Sequence, residues 1–361
     1  MPELIPTLNG HDYLSDEVWQ AEREQIFHRG WFLVGAGQRL QRGNREPVNV
    51  AGESVLLTRD LDGRLHAFAN VCRHRGAQLC ESHDASTQGS IMCPYHAWTY
   101  ALDGRLIATP HLDETDVEKA TLPLWQYHLR EWKGIAFVSL HPDPMPFDDW
   151  LQLHAPDMLR LERFPIEQLQ VVASTRCDIA ANWKIVIENY QECLHCTRVH
   201  PELVDLVPLY RSGWVQDHSR ADGGVSLARG STMSSTPIEL PPLPGLSESD
   251  RTSYFGATIF PNGFLDITGP NVIVSTLYPD GPHRTVMTMD LMFHPEAIAT
   301  PGFDPQPIID FNVLVGDQDN TVCEMVHRGV ASTSFEHGVL TSKDEHVIGF
   351  VNHYRRTMAQ R

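Results

Sequence analysis

The sequence contains neither a long apolar run nor an excess of positive charge. No stretch of about 18 consecutive apolar residues occurs in the 361-residue chain, so we expect no membrane-spanning helix. The first residues, MPELIPTLNGHDYLSDE, are acidic and lack the basic-then-apolar pattern of a secretory signal. With 46 acidic and 28 basic residues, the formal net charge of -18 argues against binding to nucleic acid or to an anionic membrane.

The cysteines are too few, and odd in number, for a disulfide scaffold. Seven occur in the chain, whereas disulfide-dense folds are small secreted domains with an even number of cysteines. A reducing compartment suits them better, so we expect a cytoplasmic protein. A chain of 361 residues is longer than one hydrophobic core usually serves, which predicts two domains.

Short alternating runs indicate a small β domain in the first half of the chain. Runs such as SVLLTRD and LHAFANV alternate with Asp-Gly turns at Asp62 and Asp103, which predicts antiparallel hairpins. The Pro-rich stretch HPDPMPFDD that follows is predicted as a linker. We therefore divide the chain into an N-terminal segment 1–44 that packs with the catalytic domain, a β domain 45–140 and a catalytic domain 141–361.

Longer periodic segments indicate helices packed on a sheet. Ser15 can cap a helix that continues to Phe27, and NWKIVIENYQECLHCTRV predicts a helix that ends at Val199. Residues 211–253 are rich in Gly, Ser and Pro and are predicted as a long loop, a candidate lid. The predicted class is α+β, an all-β module attached to an antiparallel sheet with helices. Four strands and one long amphipathic helix are predicted in the segments 254–260, 264–269, 272–279, 285–293 and 307–330.

Two predicted loops each supply one cysteine and one histidine with the spacing of metal ligands. Cys72 and His74 lie in CRHRG, and Cys93 and His96 lie in CPYHAWTY. One interpretation is a structural zinc, although zinc sites usually pair Cys with Cys and His with His within a loop. The other is a Rieske [2Fe–2S] cluster, in which two cysteines hold one iron and two histidines the other. The mixed order favours the Rieske cluster.

The segment ECLHCTRVHP contains a second candidate metal site. Glu192 and His195 are three residues apart and would share one face of a helix. His200 lies five residues beyond His195, about 140° away on an ideal helix. Pro201 pushes the residue before it out of the α region, so His200 can turn back towards His195. Two imidazoles and a carboxylate form the facial triad of non-haem Fe(II) oxygenases.

Three acids are candidates for the carboxylate of this triad. Glu192 is close in sequence, and the long C-terminal helix offers Asp317 and Asp319. The neighbours of Asp317 on the helix are polar, whereas Asp319 lies on an apolar face. A carboxylate on an apolar face needs a partner, and a metal ion is one. We therefore predict Asp319 as the third ligand. The apolar residues on its face are Val315, Val322, Cys323 and Val326.

With these motifs the sequence resembles the oxygenase (alpha) component of Rieske non-haem iron ring-hydroxylating oxygenases. The motifs read NVCRHRGAQL...CPYHAWTY, NWKIVIENYQECLHCTRVHPEL and QDNTVCEMVHRG. The resemblance implies an all-β Rieske domain, a helix-grip-like catalytic domain and a homotrimer. It also implies O2 as co-substrate, and NAD(P)H as electron source through a separate flavin or iron–sulfur reductase, with or without a ferredoxin. By resemblance, Cys72, His74, Cys93 and His96 bind the cluster, and His195, His200 and Asp319 bind the iron.

Glu192 lies where the family usually has an aspartate that bridges the two centres between subunits. Glutamate within ECLHC resembles the branch of carnitine and glycine betaine monooxygenases, although Leu194 and His327 depart from it. The expected reaction is hydroxylation or oxidative demethylation of a small organic substrate next to a quaternary nitrogen. The rivals are dihydroxylation or demethylation of an aromatic compound, and a simple Rieske electron carrier.

The substrate-binding residues are not identified by the sequence. Aromatic faces would hold a cationic substrate. The aromatic candidates near the expected pocket are Tyr210, Trp214, Tyr254, Phe255, Phe260 and Phe264.

Overall fold

The computed structural model divides into two compact units. One unit spans His28–Phe147, and the other contains the remaining described residues. The predicted division assigns residues 28–44 to the catalytic domain, whereas in the structure they belong to the β unit. The reason is a long-range pairing, because strand Phe32–Ala36 is antiparallel to Ile135–Ser139. The structure describes residues 5–81, 89–113, 115–228 and 232–359.

The strands and helices of the described residues are numbered in chain order. The strands are β1 (Ile5–Pro6), β2 (Phe32–Ala36), β3 (Arg45–Val50), β4 (Glu53–Arg59), β5 (Leu65–Ala69), β6 (Ser90–Met92), β7 (Thr99–Ala101), β8 (Leu106–Ala108), β9 (His128–Trp132), β10 (Ile135–Ser139), β11 (Gln170–Ile179), β12 (Val225–Ser226), β13 (Ser253–Ile259), β14 (Gly263–Ile267), β15 (Asn271–Pro279), β16 (Thr285–Phe293) and β17 (Val339–Leu340). The α-helices are α1 (Gly10–Leu14), α2 (Asp16–Glu22), α3 (Phe147–His154), α4 (Pro156–Arg160), α5 (Trp183–Tyr190), α6 (Cys196–Val199), α7 (Pro201–Leu206), α8 (Glu248–Arg251), α9 (Pro295–Ile298), α10 (Gln306–Val330) and α11 (Glu345–Met358). Short 3₁₀ turns span Gly37–Arg39, Lys119–Thr121, Ile166–Gln168 and Pro208–Ser212.

The predicted N-terminal helix forms and begins at its predicted cap. The Ser15 hydroxyl accepts hydrogen bonds from the N–H groups of Glu17 and Val18 at 3.1 and 3.4 Å. These bonds satisfy donors that the first helical turn leaves without an intrahelical partner. The helix is α2, and a π-helical turn, Arg23–Phe27, continues it to the predicted end.

The β unit consists of antiparallel hairpins, as the sequence predicts. Its strands form three small sheets, in the orders β2-β10-β9, β3-β4-β5 and β6-β7-β8. The two predicted Asp-Gly turns lie between β4 and β5 and between β7 and β8, with φ of +90° at Gly63 and +87° at Gly104. A side chain is strained at such φ values, so glycine suits both turns. Phe68, Ile91 and Tyr100 are buried in the core of this unit.

The catalytic unit is built on one antiparallel sheet of six strands, in the order β11-β16-β15-β14-β13-β12. Helix α5 packs on β15, and α10 packs on α5 and on β11. The four predicted strands and the predicted long helix are all present. Successive side chains of a strand point to opposite faces of the sheet. One face therefore receives every second residue, and this face forms the floor of the cavity described below.

Two predictions for this unit differ from the structure. The single helix predicted to end at Val199 is wrong, because α5 ends at Tyr190 and a turn separates it from α6. Residues 211–253 are mostly irregular, as predicted, but include β12 and α8. Their role as a lid stays a prediction, and residues 229–231 lie outside the described part.

One disulfide, between Cys193 and Cys196, is present although the sequence analysis expects none. The disulfide joins two cysteines that are only 3 residues apart in the sequence, so it does not form a disulfide scaffold. Cys72, Cys93, Cys177 and Cys323 have free thiols. Within the described ranges, no helix has both the length and the apolar character needed to cross a bilayer.

Candidate metal centres and cavity

The four predicted cluster ligands lie on two loops of the same conformation. In the first loop the Cys72 N–H donates to the Ala77 carbonyl at 2.8 Å, and the Gly76 N–H donates to the Cys72 carbonyl at 3.0 Å. The second loop repeats both bonds from Cys93, at 2.8 and 3.1 Å. The residue four positions after each cysteine has positive φ, +76° at Gly76 and +59° at Ala97. Each loop therefore presents its cysteine in a similar way, whereas the histidine comes two residues after Cys72 and three residues after Cys93.

The donor atoms of these loops suit a Rieske cluster. The His74 and His96 rings have centroids 4.7 Å apart, and Cys72 and Cys93 are buried. Nδ1 of His96 is buried and has no hydrogen-bond partner among the described residues. A buried imidazole nitrogen without a partner is costly unless it binds something, and a metal is one such partner. Two thiols and two imidazoles are the ligand set of a [2Fe–2S] Rieske cluster.

Tyr100 and Trp98 hold the cluster loops in place. The buried Tyr100 hydroxyl lies 3.4 Å from Cys72 Sγ and accepts the N–H of Arg73 at 3.0 Å. Burial raises the pKa of Cys72, and the neighbouring Cys93 raises it further, while the Tyr100 hydroxyl opposes this. The Trp98 ring stacks on the His74 ring at 4.7 Å, which fixes the plane of that imidazole.

A broken helix places the two histidines of the second site. The N-cap Asn182 starts α5, accepting the Lys184 N–H at 3.0 Å, and the helix ends at Tyr190. His195 then precedes α6, and His200 follows it with φ -123° and ψ 66°, outside the α region. The residue after His200 is Pro201, which starts α7. The predicted effect of proline on His200 is therefore confirmed.

Asp319, and not Asp317, lies beside the two histidines. Its Oδ1 is 2.8 Å from His200 Nε2 and 3.3 Å from His195 Nε2. The candidate ligand atoms of the three residues all lie within 4.8 Å of one another. Asp317 is exposed, as its polar neighbours indicate. The prediction that the apolar residues around Asp319 all face inward is only partly correct, because Val326 is 43% exposed.

Two further side chains set the orientation of the imidazoles. His195 Nδ1 is 2.5 Å from Glu192 Oε1, and His200 Nδ1 is 2.8 Å from Gln318 Oε1. Because a carboxylate or an amide oxygen can only accept, each Nδ1 would carry the proton in the metal-bound site, and each Nε2 would be left to bind the metal. Burial alone would lower the pKa of His195, but Asp319 and Glu192 raise it to about 9.

Gln318 and part of the geometry of Glu192 are not predicted by the motifs. The predicted helix to Val199 would contain Glu192 and Leu194, and the N–H of Leu194 would be occupied within it, but in the structure Oε2 of Glu192 accepts this N–H. Gln318 directly precedes the candidate ligand Asp319, and its role depends on the position of His200, which the sequence does not give.

The three candidate iron ligands line a cavity of about 230 Å³. Its floor is the sheet face, and Tyr190 and Glu192 are part of its wall. Among the described residues, three of the six candidate aromatics line it: Tyr210, Tyr254 and Phe264. The other three pack elsewhere, Trp214 against His218, Phe255 against Phe164 and Phe260 against Trp183. The sequence analysis missed Tyr190 and Asp266, although period-two alternation through FLDITG places Asp266 on the same face as Phe264.

Known proteins define the class of this chain. The catalytic-domain model of ring-hydroxylating alpha subunits matches residues 166–360, and the Rieske [2Fe-2S] domain model matches residues 30–128. The chain therefore belongs to the ring-hydroxylating alpha-subunit family, and it is the oxygenase component of a Rieske non-haem iron oxygenase. The predicted fold class and enzyme class are confirmed.

Oxygenase subunits of two quaternary ammonium monooxygenases and one solved structure are each identical to this chain at about a quarter of the aligned positions. It is 28% identical to the glycine betaine monooxygenase oxygenase subunit of Pseudomonas aeruginosa, over 96% of this chain and 87% of that one. It is 28% identical to the carnitine monooxygenase oxygenase subunit of Acinetobacter pittii, over 98% and 94%. The chain is also similar to a solved quaternary ammonium Rieske monooxygenase, whose structure is reported to give insights into carnitine oxidation and inter-subunit electron transfer. The two structures superpose with a TM-score of 0.80 and are 25% identical, over 99% of this chain and 97% of that one.

Proposed function

We propose that this oxygenase hydroxylates a carbon bound to the quaternary nitrogen of a small organic cation. The observation that supports this most is that one cavity contains two features: the two histidines and Asp319 on one side, and tyrosines with the half-buried Asp266 on another. The names of the two similar oxygenase subunits agree with such a substrate. A neutral aromatic substrate would leave this carboxylate without a positively charged partner.

The proposed reaction consumes O2 and two electrons. One oxygen atom enters a C–H bond, and the other leaves as water with two protons. The carbon that gains the hydroxyl is attached to nitrogen, so the hydroxyl then loses its proton and the C–N bond breaks, which yields a tertiary amine, a carbonyl compound and a proton. The electrons come from NAD(P)H through a separate flavin or iron–sulfur reductase, with or without a ferredoxin.

The proposed roles of the residues follow from their contacts. Cys72, His74, Cys93 and His96 would hold the [2Fe–2S] cluster, and His195, His200 and Asp319 the mononuclear Fe(II). When bound, the cluster would supply electrons and the Fe(II) would activate O2. The chain itself orients the imidazoles through Glu192 and Gln318, and its cavity holds the substrate and limits the entry of water.

The test is turnover by the iron-loaded protein with an NAD(P)H-dependent Rieske reductase. Glycine betaine, L-carnitine and choline are compared with naphthalene and benzoate, and O2 uptake is measured together with formaldehyde and trimethylamine. We expect O2 uptake coupled to one of these products with at least one ammonium compound, and none with the His200→Ala variant. Coupled oxidation of the aromatic compounds alone would refute the proposed substrate class.

We also propose a homotrimer in which electrons pass between subunits, with Glu192 as the bridge. Support comes from the Glu192–His195 contact of 2.5 Å and from the similar monooxygenase described with inter-subunit electron transfer. The test mixes two inactive variants, Cys93→Ser without a cluster and His195→Ala without iron. Co-assembled trimers should recover part of the activity, because a complete cluster can then lie beside a complete iron site. Mixed trimers that form but stay inactive would rule the bridge out.

A further inference from the structure

The floor of the cavity contains an acid that has no part in the metal sites. Asp266 lies on β14 and pairs directly across with Gly256 on β13. Since side chains alternate along a strand, Asp266 shares the cavity face with Phe264, and Gly256 shares it with Tyr254. All four residues line the cavity. An acid at this place is unusual, because sheet residues that face a packed helix layer are normally apolar.

Two tyrosine hydroxyls converge on one oxygen of this acid. Tyr190 and Tyr254 each donate to Asp266 Oδ1 at 2.6 Å, and the two hydroxyl oxygens are 3.3 Å apart. Glycine at position 256 makes this possible, because a Cβ there would lie 2.8 Å from each hydroxyl oxygen. The Tyr190 ring also stacks on the Phe264 ring, with centroids 3.9 Å apart. The tyrosines therefore present ring surface beside the carboxylate.

The second oxygen of Asp266 is left for something else. Within the described residues, Oδ2 accepts no hydrogen bond, and no Lys, Arg or His nitrogen lies within 4.0 Å of the carboxylate. The side chain is only half-buried, since it borders the cavity. Burial raises the pKa of Asp266, and the two tyrosine hydroxyls only partly offset this. A carboxylate deep in a protein is costly without a positive partner, and here the cavity is where that partner can bind.

A purely structural role explains this arrangement less well. Asp290, on strand β16 of the same sheet, shows what such a role looks like: it is fully buried, accepts the Ser174 hydroxyl at 2.6 Å and is not among the described residues that line the cavity. Asp266 instead has one oxygen held by tyrosines and the other directed to no protein donor. Fixing one oxygen orients the carboxylate, and the free oxygen then provides the charge.

We propose that Asp266, Tyr190, Tyr254 and Phe264 form a subsite that binds the alkylammonium head group of the substrate, with Asp266 as its counter-ion. This inference rests on the proposed function and adds the residue that makes a cation bind more tightly than a neutral compound of the same shape. Aromatic faces alone attract a cation, and they bind a neutral tert-butyl group through apolar contact as well. The carboxylate distinguishes the two through charge.

The test compares choline with 3,3-dimethylbutan-1-ol, in which carbon replaces the charged nitrogen. Binding to the iron-loaded holoenzyme is measured by calorimetry without O2 or reductant, so the readout does not depend on turnover. We expect choline to bind the wild-type protein at least tenfold more tightly than the alcohol. Asp266→Asn keeps the shape of the side chain and an oxygen that can accept from the tyrosines. It should weaken the affinity for choline at least tenfold, while the affinity for the alcohol should change less than twofold.

Asp290→Asn is the matched control, an equally conservative change at a buried acid of the same sheet outside the cavity. It should leave both affinities unchanged, and iron content and cluster absorbance should be normal in both variants. Equal wild-type affinity for choline and the alcohol overturns the subsite, even if Asp266→Asn does not fold. So does choline affinity in Asp266→Asn that stays within twofold of the wild type.

Failure of the subsite and failure of the proposed function give different results. If ammonium compounds are oxidised but Asp266→Asn binds them normally, the function stands and the subsite is wrong. If choline binds in an Asp266-dependent way but no ammonium compound is oxidised, the subsite stands and the proposed reaction is wrong. If no ammonium compound binds the wild-type holoenzyme, both are wrong.

Discussion

Replacing Asp319 by alanine should remove the mononuclear iron and leave the cluster intact. Asp319 Oδ1 lies 2.8 Å from one histidine Nε2 and 3.3 Å from the other, so this carboxylate faces both imidazoles. Loss of a group that merely orients a metal-binding histidine costs about 10- to 100-fold in metal affinity. Asp319 would contact the metal directly, so we expect a loss above about 100-fold, or about 2.7 kcal/mol.

The assay is iron content after dialysis against a weak chelator, with the cluster followed by its visible absorbance. A complete chain should hold about three iron atoms, two in the cluster and one in the mononuclear site. Asp319→Ala should hold about two and retain the cluster spectrum, and it should show no turnover.

Asp317→Ala is the matched control because it removes the same group two positions away on the same helix. Asp317 is exposed, so its loss should change neither iron content nor turnover. If Asp317→Ala loses iron while Asp319→Ala keeps it, the assignment of the third ligand is wrong.

Three further predictions concern other parts of the molecule. His74→Cys or His96→Cys should lower the reduction potential of the cluster in a redox titration, because thiolate donates more charge than imidazole; an unchanged or higher potential would contradict the assignment of these ligands. Glu192→Gln should keep both metal sites but stop oxidation of the reduced cluster in a single turnover, and normal reoxidation would exclude a bridging role. His154 and His353 lie with Nδ1 and Nε2 2.8 Å apart, and burial, together with His353, lowers the pKa of His154 to about 4. In the unfolded chain His154 takes up a proton near pH 6.5, whereas in the folded chain it does not, so the melting temperature should fall as the pH drops from 6.5 towards 4. His154→Gln should reduce that fall. An equally steep fall in the variant would show that His154 does not cause this pH dependence.

The candidate metal ligands are largely predictable from the sequence because short motifs bring them together locally. Cys72 and His74 lie in one loop, as do Cys93 and His96, so their spacing alone indicates a metal site. His195 and His200 required one more fact, the effect of Pro201 on the residue before it. Asp319 followed from helical periodicity, although part of that argument was wrong, since Val326 on the supposed inner face is 43% exposed.

The end of helix α5 could not be predicted from local sequence. Neither glycine nor proline marks Tyr190, and the apolar pattern continues through Cys193 and Cys196. In the structure the turn that follows is held by Glu192, which accepts the Leu194 N–H and contacts His195. The same side chain thus holds the turn after α5 and orients a candidate iron ligand, and only the folded site shows this.

The cavity required pairing information that a sequence does not contain. Tyr190 and Asp266 are 76 residues apart in the chain. They meet because β13 and β14 pair with Gly256 opposite Asp266. A register shifted by one residue would turn Asp266 to the other face of the sheet. The alternation in FLDITG indicates that Asp266 and Phe264 share a face, but not that this face borders the metal site.

The metal ligands and the cavity floor come from different elements, and this separation has a consequence for specificity. The histidines lie on the broken helix around α6 and Asp319 lies on α10, whereas Asp266 and Phe264 lie on β14. Within the described part of the chain, Asp266 forms no hydrogen bond or ion pair with the three candidate ligands. We therefore expect changes in the side chains of the sheet face to leave the candidate ligand set in place. On this view the metal chemistry belongs to the helices, and the choice of substrate depends on which side chains β13 and β14 present to the cavity.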